Sequence, residues 1–384
     1  MRLRAGPLAL ACAALLVAAS ACTESAAPGS VHILTADTPV GHVLVRYIDR
    51  GIDRAESEGA AAVVIRVDTP GGDIDSMRAT VGRIEQANVP VLTFVTPPGA
   101  RAASAGTFIV MAGHIAAMAP GTSIGAATPV TATGDDVGGA LGRKVENDTV
   151  AFARAVAEQH GRNADWAEAA VRDAASATPS EAAAEHIVDL EASSILELLA
   201  AAHGRSVRLL SGEELTLDVR EAPLYFNDRN AYERALQILG DPIVLAILIA
   251  VGVSGLAIEM LNPGLFLPAV VGITATIASL LGIGSLLPTE AAVALLVFGI
   301  ALLALEGFTG SGGILGSGGA IAVVLALSIF VGQGSTEIDL KRLLTMLGLA
   351  LLATATIAAV GVVAISRSYL SRTERSEPPR GARL

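Results

Sequence analysis

The chain has 384 residues, of which 52% are hydrophobic and only 16% are charged, and this imbalance indicates membrane segments rather than a wholly soluble protein. The formal net charge of −11, without a basic patch interleaved with aromatic residues, argues against nucleic acid as a partner. The only two cysteines, Cys12 and Cys22, lie near the N-terminus, which excludes cysteine protease chemistry in the rest of the chain.

The first 21 residues have the pattern of a secretory signal peptide. Arg2 and Arg4 precede an apolar stretch over residues 8–18, and the small residues 19–21 form a cleavage signal. Cys22 follows directly, so a lipoprotein with a lipidated Cys22 stands beside ordinary cleavage and an uncleaved anchor as the alternatives. We expect the domain that follows to be extracytoplasmic.

Residues 22–230 are predicted to form an α/β domain, because buried strands alternate with amphipathic helices, as in a parallel sheet covered by helices. The predicted strands cover residues 61–67, 89–95, 115–118 and 187–190. The predicted helices cover residues 41–58, 74–87, 104–113, 144–160, 165–175 and 195–202. Residues 131–142 are rich in Gly and Asp and lack periodicity, which predicts a loop beside the site.

Residues 240–366 are predicted to form an all-α, multi-span transmembrane domain. Its apolar segments, each near the length that spans a lipid bilayer, cover residues 243–261, 265–286, 291–305, 314–331 and 343–365. The Arg-rich tail, 367–384, is placed in the cytoplasm by the positive-inside rule. Five spans then put the α/β domain outside, in agreement with the signal peptide, so we expect a multi-pass protein of the cell membrane.

The segment around Ser104 is the most informative motif of the chain. Ser104 lies in PPGARAASAGT, residues 97–107, between a predicted buried strand and an apolar helix. A hydroxyl group there lies at a helix N-terminus, where unpaired N–H groups favour developing negative charge. The sequence DTPGG ends another predicted strand at residues 68–72, and APGTSIGA follows at residues 119–126.

These three motifs, in this order, resemble those of the membrane-bound serine proteases of the ClpP superfamily known as NfeD proteins. The resemblance runs from about residue 31 to about residue 199, and more loosely through the membrane part. It implies a ClpP/crotonase-like extracytoplasmic domain, no cofactor, and a homodimer or higher oligomer. It also implies stomatin- or flotillin-like membrane proteins as substrates, cut within hydrophobic segments. We expect the chain to act without the small OB-type β-barrel that commonly follows the membrane helices of long family members.

A serine nucleophile needs a base, and lysine is the better candidate in this chain. The six histidines are scattered and none has a well-placed acidic partner, although spacing alone leaves a Ser-His-Asp triad open. Lys144 and Lys341 are the only lysines, and every other basic side chain is an arginine, which cannot serve as a base. Burial would help Lys144 to lose its proton, whereas a solvated lysine at a helix start is the alternative. The resemblance implies a dyad of Ser104 and Lys144.

Gly71 and Gly72 lack side chains and can therefore bring their N–H groups close to a substrate carbonyl. The resemblance implies an oxyanion hole formed by these glycines with the N–H of Ala105, and leaves open which glycine contributes. Thr122 and Ser123 are the candidates for binding the peptide backbone of the substrate. A plain turn at these two residues is the alternative.

Asp68, Asp73 and Asp75 cluster near the glycine pair and raise the question of a metal site. No histidine joins them at the spacing of a metal ligand, so capping of the following helix by Asp73 and Asp75 is the favoured interpretation. We therefore expect no metal.

The predicted function is that of a membrane-anchored serine endopeptidase. A non-catalytic membrane scaffold that retains the ClpP-like fold and organises stomatin-like partners is the alternative. An acyl-CoA enzyme of the crotonase type is disfavoured, because export removes the domain from CoA and the chemistry gives a Ser–Lys pair no role.

Overall fold

A computed structural model describes residues 26–131, 134–135, 137–262, 265–284, 288–309 and 314–332. The chain divides into two compact units, Met1–Arg229 and Asn230–Leu384, which are taken one at a time below. The predicted signal peptide with Cys22, the fifth predicted span and the Arg-rich tail lie outside the described residues.

The first unit is built on a parallel sheet of six strands. These strands are β1 (Val31–Ala36), β2 (Ala62–Val67), β3 (Val91–Val95), β5 (Ile115–Met118), β8 (Leu190–Glu191) and β11 (Leu224–Phe226). Their order across the sheet is β11-β1-β2-β3-β5-β8, and every neighbouring pair is parallel. The predicted α/β fold of this unit is confirmed.

Two smaller sheets accompany the main one. They consist of β4 (Arg101–Ala103), β6 (Ser123–Gly125) and β7 (Ser176–Ala177), and of β9 (Ser206–Arg208) and β10 (Glu214–Thr216). In the first, β6 lies in the middle, parallel to β4 and antiparallel to β7. The helices of the unit are α1 (His42–Ser57), α2 (Ile74–Glu85), α3 (Ala105–Met111), α4 (Gly139–Gln159), α5 (Ala164–Arg172), α6 (Pro179–Ala184) and α7 (Ile195–Ala202).

The apolar runs form strands because both faces of the main sheet are covered. Along β2, Val63 and Ile65 belong to the core on one face, whereas Val64 belongs to the core on the other face. Since successive side chains of a strand point to opposite faces, a strand buried on both sides reads as a continuous apolar run. Ile48 of α1 lies in the first core and Leu198 of α7 lies in the second.

Helix α4 begins five residues before the predicted start at Lys144. Ala140, Leu141 and Arg143 have high helix propensities, and these outweigh the low propensities of Gly139 and Gly142. The predicted loop is correspondingly shorter.

All secondary-structure elements among the described residues of the second unit are helices. Its helices are α8 (Ala231–Leu239), α9 (Pro242–Leu261), α10 (Leu267–Gly284), α11 (Pro288–Thr309) and α12 (Ile314–Gly332). Within α9 and α10, the segments Pro242–Glu259 and Leu267–Gly284 are long and apolar enough to cross a membrane, and α11 and α12 contain shorter apolar stretches. The first four predicted spans are therefore helices, and two of them have the length and composition of a membrane span.

Glycines set the packing of this helical unit. A Cβ atom added to Gly299 of α11 would lie 2.8 Å from the carbonyl oxygen of Gly319 in α12, and one added to Gly319 would lie 2.7 Å from that of Gly299. The two backbones are thus in direct contact, as small residues allow between membrane helices.

Candidate active site

The loop that follows β2 is joined to β4 by backbone hydrogen bonds. The N–H of Thr69 donates to Arg101 at 2.8 Å, and the N–H of Ala103 donates back to the carbonyl of Thr69 at 3.1 Å. This short parallel ladder places the DTPGG segment beside the strand that leads into Ser104. Two of the three motifs singled out in the sequence therefore meet in the structure.

Ser104 occupies a strained turn between β4 and α3. Its φ of 50° and ψ of −117° lie in a region that residues other than glycine rarely adopt. The turn is held by the N–H of Ser104, which lies 3.2 Å from the carbonyl oxygens of both Gly125 and Ala126. The third motif, at residues 119–126, thus supports the serine directly. Strain of this kind is concentrated at functional sites, where the surrounding structure maintains it.

Gly71 lies directly against Ser104. A Cβ atom added to Gly71 would be 2.5 Å from the Cβ of Ser104 and 3.1 Å from its Oγ. Gly71 also has a φ of +111°, which L-residues with a side chain rarely adopt. Both the conformation and the contact with the serine require glycine at this position.

The two glycines differ in what their N–H groups do. The N–H of Gly71 donates to Thr69 Oγ1 at 3.2 Å. Gly72 lies opposite Val40 in a parallel bridge, but its own N–H takes no part in it. The N–H of Val40 donates to the carbonyl of Gly71, and the N–H of Asp73 donates to the carbonyl of Val40. Among the residues that the structure describes, neither the N–H of Gly72 nor that of Ala105 has an acceptor. These two donors remain available to a ligand.

Lys144 is the sixth residue of α4, and its side chain is exposed. Of the two alternatives for this amine, burial and a solvated position near the start of a helix, the structure has the solvated one. Within the described part of the chain, Lys144 Nζ and Ser104 Oγ make no hydrogen bond to each other. Their helices are nevertheless packed together, since the rings of Phe108 in α3 and Phe152 in α4 stack with centroids 5.9 Å apart.

The turn of α4 that follows Lys144 is held from two neighbouring helices. From α2, Arg78 donates to Asp148 at 2.8 Å, and its guanidinium lies 4.3 Å from the centroid of the Phe152 ring. From α5, Arg172 donates to Glu146 at 2.7 Å and to Asn147 at 3.1 Å. Residues 146–148 are therefore fixed on both sides, and with them the position of the Lys144 backbone.

The two residues expected to bind substrate have different surroundings. Thr122 is buried, and its hydroxyl donates to the carbonyl of Ala119 at 2.6 Å, which closes the turn before β6. The side chain of Ser123 is exposed, and its backbone pairs with Arg101 of β4. Thr122 thus fits the plain-turn interpretation, while the Ser123 hydroxyl is accessible from solvent.

Asp68 and Asp73 of the acidic cluster have structural roles, and Asp75 lies in the first turn of α2 rather than at its cap. Asp73 caps α2, since its Oδ1 accepts the N–H of Ser76 at 2.7 Å, which confirms the capping expected of this residue. Asp68 accepts the N–H of Arg101 at 3.1 Å and so fastens β4 to the end of β2. Among the described residues, no three or more His, Cys, Asp or Glu side chains are grouped so as to hold a metal ion.

A buried arginine, which the sequence did not single out, lies against the C-terminal end of α3. Arg162 donates to the carbonyls of Met111 and Gly113 and to the carboxylate of Asp189, the last at 2.7 Å. A cation there stabilises the unpaired carbonyl groups at the C-terminal end of α3, the helix that follows Ser104. Arg162 and Asp189 are 27 residues apart, so spacing gave no signal of the pair.

Two histidines lie beside this arginine rather than beside Ser104. Burial, with the nearby cation of Arg162 and with His114, lowers the pKa of His160 to about 3. Burial also lowers the pKa of His114, whose Nδ1 accepts the N–H of Val91 at 3.1 Å. Both rings belong to the end of α3 opposite to Ser104, so the structure offers neither as its base.

Both parts of the chain match known domains. Residues 30–205 match the family described as NfeD1b, N-terminal domain, and residues 243–365 match the NfeD integral membrane domain. The membrane-bound protease PH1510 of Pyrococcus horikoshii is 31% identical over 339 residues, which are 86% of this chain and 76% of that protein. The membrane protein NfeD1b of Bacillus subtilis is 26% identical over 318 residues, which are 82% of this chain and 70% of that protein.

Solved structures of a protease domain are similar to the first unit. One is a serine-to-alanine mutant of the 1510-N membrane-bound stomatin-specific protease, with a TM-score of 0.50 and 34% identity, covering 53% of this chain and 100% of that chain. Another is a lysine-to-alanine mutant of that protease in complex with a substrate peptide, with a TM-score of 0.51 and 33% identity, covering 54% of this chain and 96% of that chain. The sequence, with both of its domains matched, belongs to the NfeD family.

Proposed function

We propose that the protein is a membrane-anchored serine endopeptidase in which Ser104 is the nucleophile and Lys144 is the general base. The observation that carries this proposal is the strained turn of Ser104, which is packed against Gly71 and lies next to the free N–H groups of the loop and of α3. The 31% identity to a membrane-bound protease supports protease activity at a membrane for this chain.

The solved relatives support the choice of the two residue types. In one of them a serine is replaced by alanine, and in another, which holds a substrate peptide, a lysine is replaced by alanine. Removing a nucleophile or a base allows a substrate to be bound without being cut. Ser104 and Lys144 are the residues of this chain to which we assign those roles.

The reaction follows the usual course of acyl transfer. As Ser104 Oγ attacks the carbonyl carbon of the peptide, its proton passes to the neutral amine of Lys144. The negative oxygen of the tetrahedral intermediate accepts the N–H groups of Gly72 and Ala105. The ammonium group then gives its proton to the leaving amine as the C–N bond breaks. Water, activated by the same amine, releases the new carboxyl group from the serine ester and restores the hydroxyl.

Gly72 is our choice for the donor because of the hydrogen bonds already made. The N–H of Gly71 is engaged by Thr69, whereas that of Gly72 is not engaged by the described residues. Gly71 has a different role, since the absence of a side chain there leaves room for Ser104.

The exposure of Lys144 implies that the substrate completes the site. Lys144 is exposed, and an apolar segment that covers an amine desolvates it, which disfavours the charged form. A hydrophobic peptide laid across the exposed Ser123 and Lys144 would supply that cover. We therefore propose that a bound apolar substrate makes Lys144 a more effective base.

The proposed substrate is a stomatin-like membrane protein, because the similar solved protease is described as stomatin-specific. We further propose that the protease domain is extracytoplasmic, tethered by several membrane spans, and that the protein forms a homodimer or a higher oligomer. A substrate close to the bilayer suits a protease held there.

The test uses the full chain in lipid nanodiscs, with a serine-directed fluorophosphonate and a peptide from a stomatin-like protein. Wild type should be labelled and should cut the peptide, whereas Ser104→Ala should do neither. Lys144→Ala and Lys144→Arg should both be inactive, because arginine keeps the charge but cannot accept a proton. Arg143→Ala, on the neighbouring exposed residue, is the matched control and should stay active.

Two outcomes would overturn the proposal. Activity retained in Lys144→Arg would remove lysine from the role of base. A wild type that binds the stomatin-like protein as tightly as Ser104→Ala does, and cuts nothing, would favour the non-catalytic scaffold.

A further inference from the structure

Helix α8 is a separate short helix directly before the first membrane helix. Its start is fixed by a capping box, in which Asn230 Oδ1 accepts the N–H of Glu233 and Glu233 Oε2 accepts the N–H of Asn230, each at 2.8 Å. Helix α9 has its own cap, because Asp241 Oδ1 accepts the N–H groups of Ile243 and Val244 at 2.9 and 3.1 Å. The chain therefore has a defined corner at Gly240 and Asp241.

The exposed side of α8 carries large apolar groups. Tyr232 and Ile238 are 55% and 61% exposed, and Ala235, midway between them, is exposed as well. The spacing of three residues places all three on neighbouring positions of the helix surface. In water this stripe would leave apolar surface solvated, which is unfavourable. Glu233 and Gln237 form the polar side of the helix, which makes α8 amphipathic, whereas Arg234 lies one turn before Ile238 and borders the stripe.

The position of α8 in the helical unit is set by contacts at its C-terminal end. A Cβ atom added to Gly282, in the last turn of α10, would overlap the carbonyl group of Leu239 at the end of α8. The end of α10 and the start of α9 at Pro242 are thus both next to the end of α8. Helix α8 therefore lies beside the ends of the two helices that have the length and composition of membrane spans.

An open groove of about 470 Å³ lies between α8 and the first turn of α9. It is lined by Arg234, Gln237, Ile238, Asp241 and Val244. Ile238 and Val244 give the groove apolar walls that suit the upper part of a lipid acyl chain, and its two charged side chains, Arg234 and Asp241, have opposite signs.

We infer that α8 is an interfacial helix that binds the lipid surface, with Tyr232 and Ile238 inserted at the boundary between headgroups and acyl chains. Amphipathic helices bind this zone through buried apolar area together with attraction of basic groups to lipid phosphates. Tyrosine is enriched there because it has an apolar ring and a polar tip. The inference does not depend on the proposed peptidase.

The test places a fluorescent probe on α8 of the full chain. Tyr232→Cys and Ile238→Cys, made in a background with Cys12→Ser and Cys22→Ser, are labelled with an environment-sensitive nitrobenzoxadiazole. The proteins are reconstituted in nanodiscs of phosphatidylcholine and phosphatidylglycerol, with and without lipids that carry a quencher near the headgroup. Leu210→Cys, at a 62% exposed position of the first unit, is the matched control.

Probes at Tyr232 and Ile238 should be blue-shifted, quenched by the shallow lipid quencher and several-fold less quenched by aqueous iodide than the probe at Leu210. Iodide quenching equal to that at Leu210 would overturn the inference, since the stripe would then face water. Protection from iodide without lipid quenching would overturn it as well, because a protein partner would then cover the stripe.

Discussion

The Cβ position of Gly71 lies 2.5 Å from the Cβ of Ser104, closer than two such carbon atoms can approach. Gly71 of the DTPGG loop must therefore lack a side chain because Ser104 occupies the space, and not only because of the turn. Its φ of +111° adds a second, independent requirement for glycine. These two effects can be separated, because other glycines of the chain share the conformation without the contact.

Gly71→Ala should abolish peptidase activity, since the added methyl group must displace Ser104 from its strained turn. Gly99→Ala is the matched control, because Gly99 has a φ of +90° with nothing within 4 Å of the added Cβ. Both variants should lose about 1–2 kcal/mol of stability from the strained φ. Only Gly71→Ala should lose fluorophosphonate labelling. Equal labelling of the two variants would show that the contact with Ser104 is not decisive.

Arg162→Met should destabilise the first unit strongly, by about 3–5 kcal/mol, because the carboxylate of Asp189 and two carbonyl groups at the end of α3 lose their buried partner. The chain has a single tryptophan, Trp166 in α5, so its fluorescence during urea unfolding reports on this unit. Arg205→Met, at an exposed position, should unfold at nearly the wild-type urea concentration. An unchanged midpoint for Arg162→Met would contradict the assigned role.

Stability of the first unit should fall as the pH drops below about 6.5. The pKa of His160 is lowered to about 3 in the folded protein, so between these values the unfolded state binds a proton that the folded state does not. Stability then rises with pH across this window, by at most about 1.4 kcal/mol per pH unit for one such proton. His160→Gln should flatten this dependence relative to wild type. Parallel curves, measured by Trp166 fluorescence from pH 4 to 7, would exclude His160 as the source.

The fold could be predicted because its signals are local. Strands of the main sheet are buried on both faces and so appear as short apolar runs. The start of α2 is indicated by its capping residue, Asp73. The proposed nucleophile could also be selected from the sequence, since Ser104 and the two glycines lie in short segments whose order is informative.

What could not be predicted depends on contacts between distant segments. The ion pair of Arg162 with Asp189 joins elements that no periodicity connects, and the exposure of Lys144 depends on how α4 packs against α2 and α3. The proposed choice of Gly72 over Gly71 as donor likewise required the hydrogen bond from the N–H of Gly71 to Thr69 Oγ1, which depends on how that loop folds. Local patterns indicate which residues are unusual, and tertiary packing decides what each of them does.

Arg78 is expected to position Lys144 for catalysis without contributing much to stability. Its ion pair with Asp148 is partly exposed, and such pairs add only about 0–1 kcal/mol, so Arg78→Ala should unfold like wild type. If the proposed dyad is correct, kcat should nevertheless fall, because a displacement of about 1 Å can cost up to about 100-fold in rate. Arg83→Ala, on the same helix with ion pairs to Asp49 and Asp53, is the matched control and should keep full activity.

Exchanging the charges separates positioning from a general loss of packing. Arg78→Asp alone should be less active than Arg78→Ala, because two carboxylates then face each other beside the turn that follows Lys144. Adding Asp148→Arg should restore part of kcat, since the ion pair between α2 and α4 forms again with the opposite polarity. The stacking of the Arg78 guanidinium on Phe152 is not restored, so recovery should stay below wild type. A double variant no more active than Arg78→Asp would mean that this ion pair does not set the position of the base.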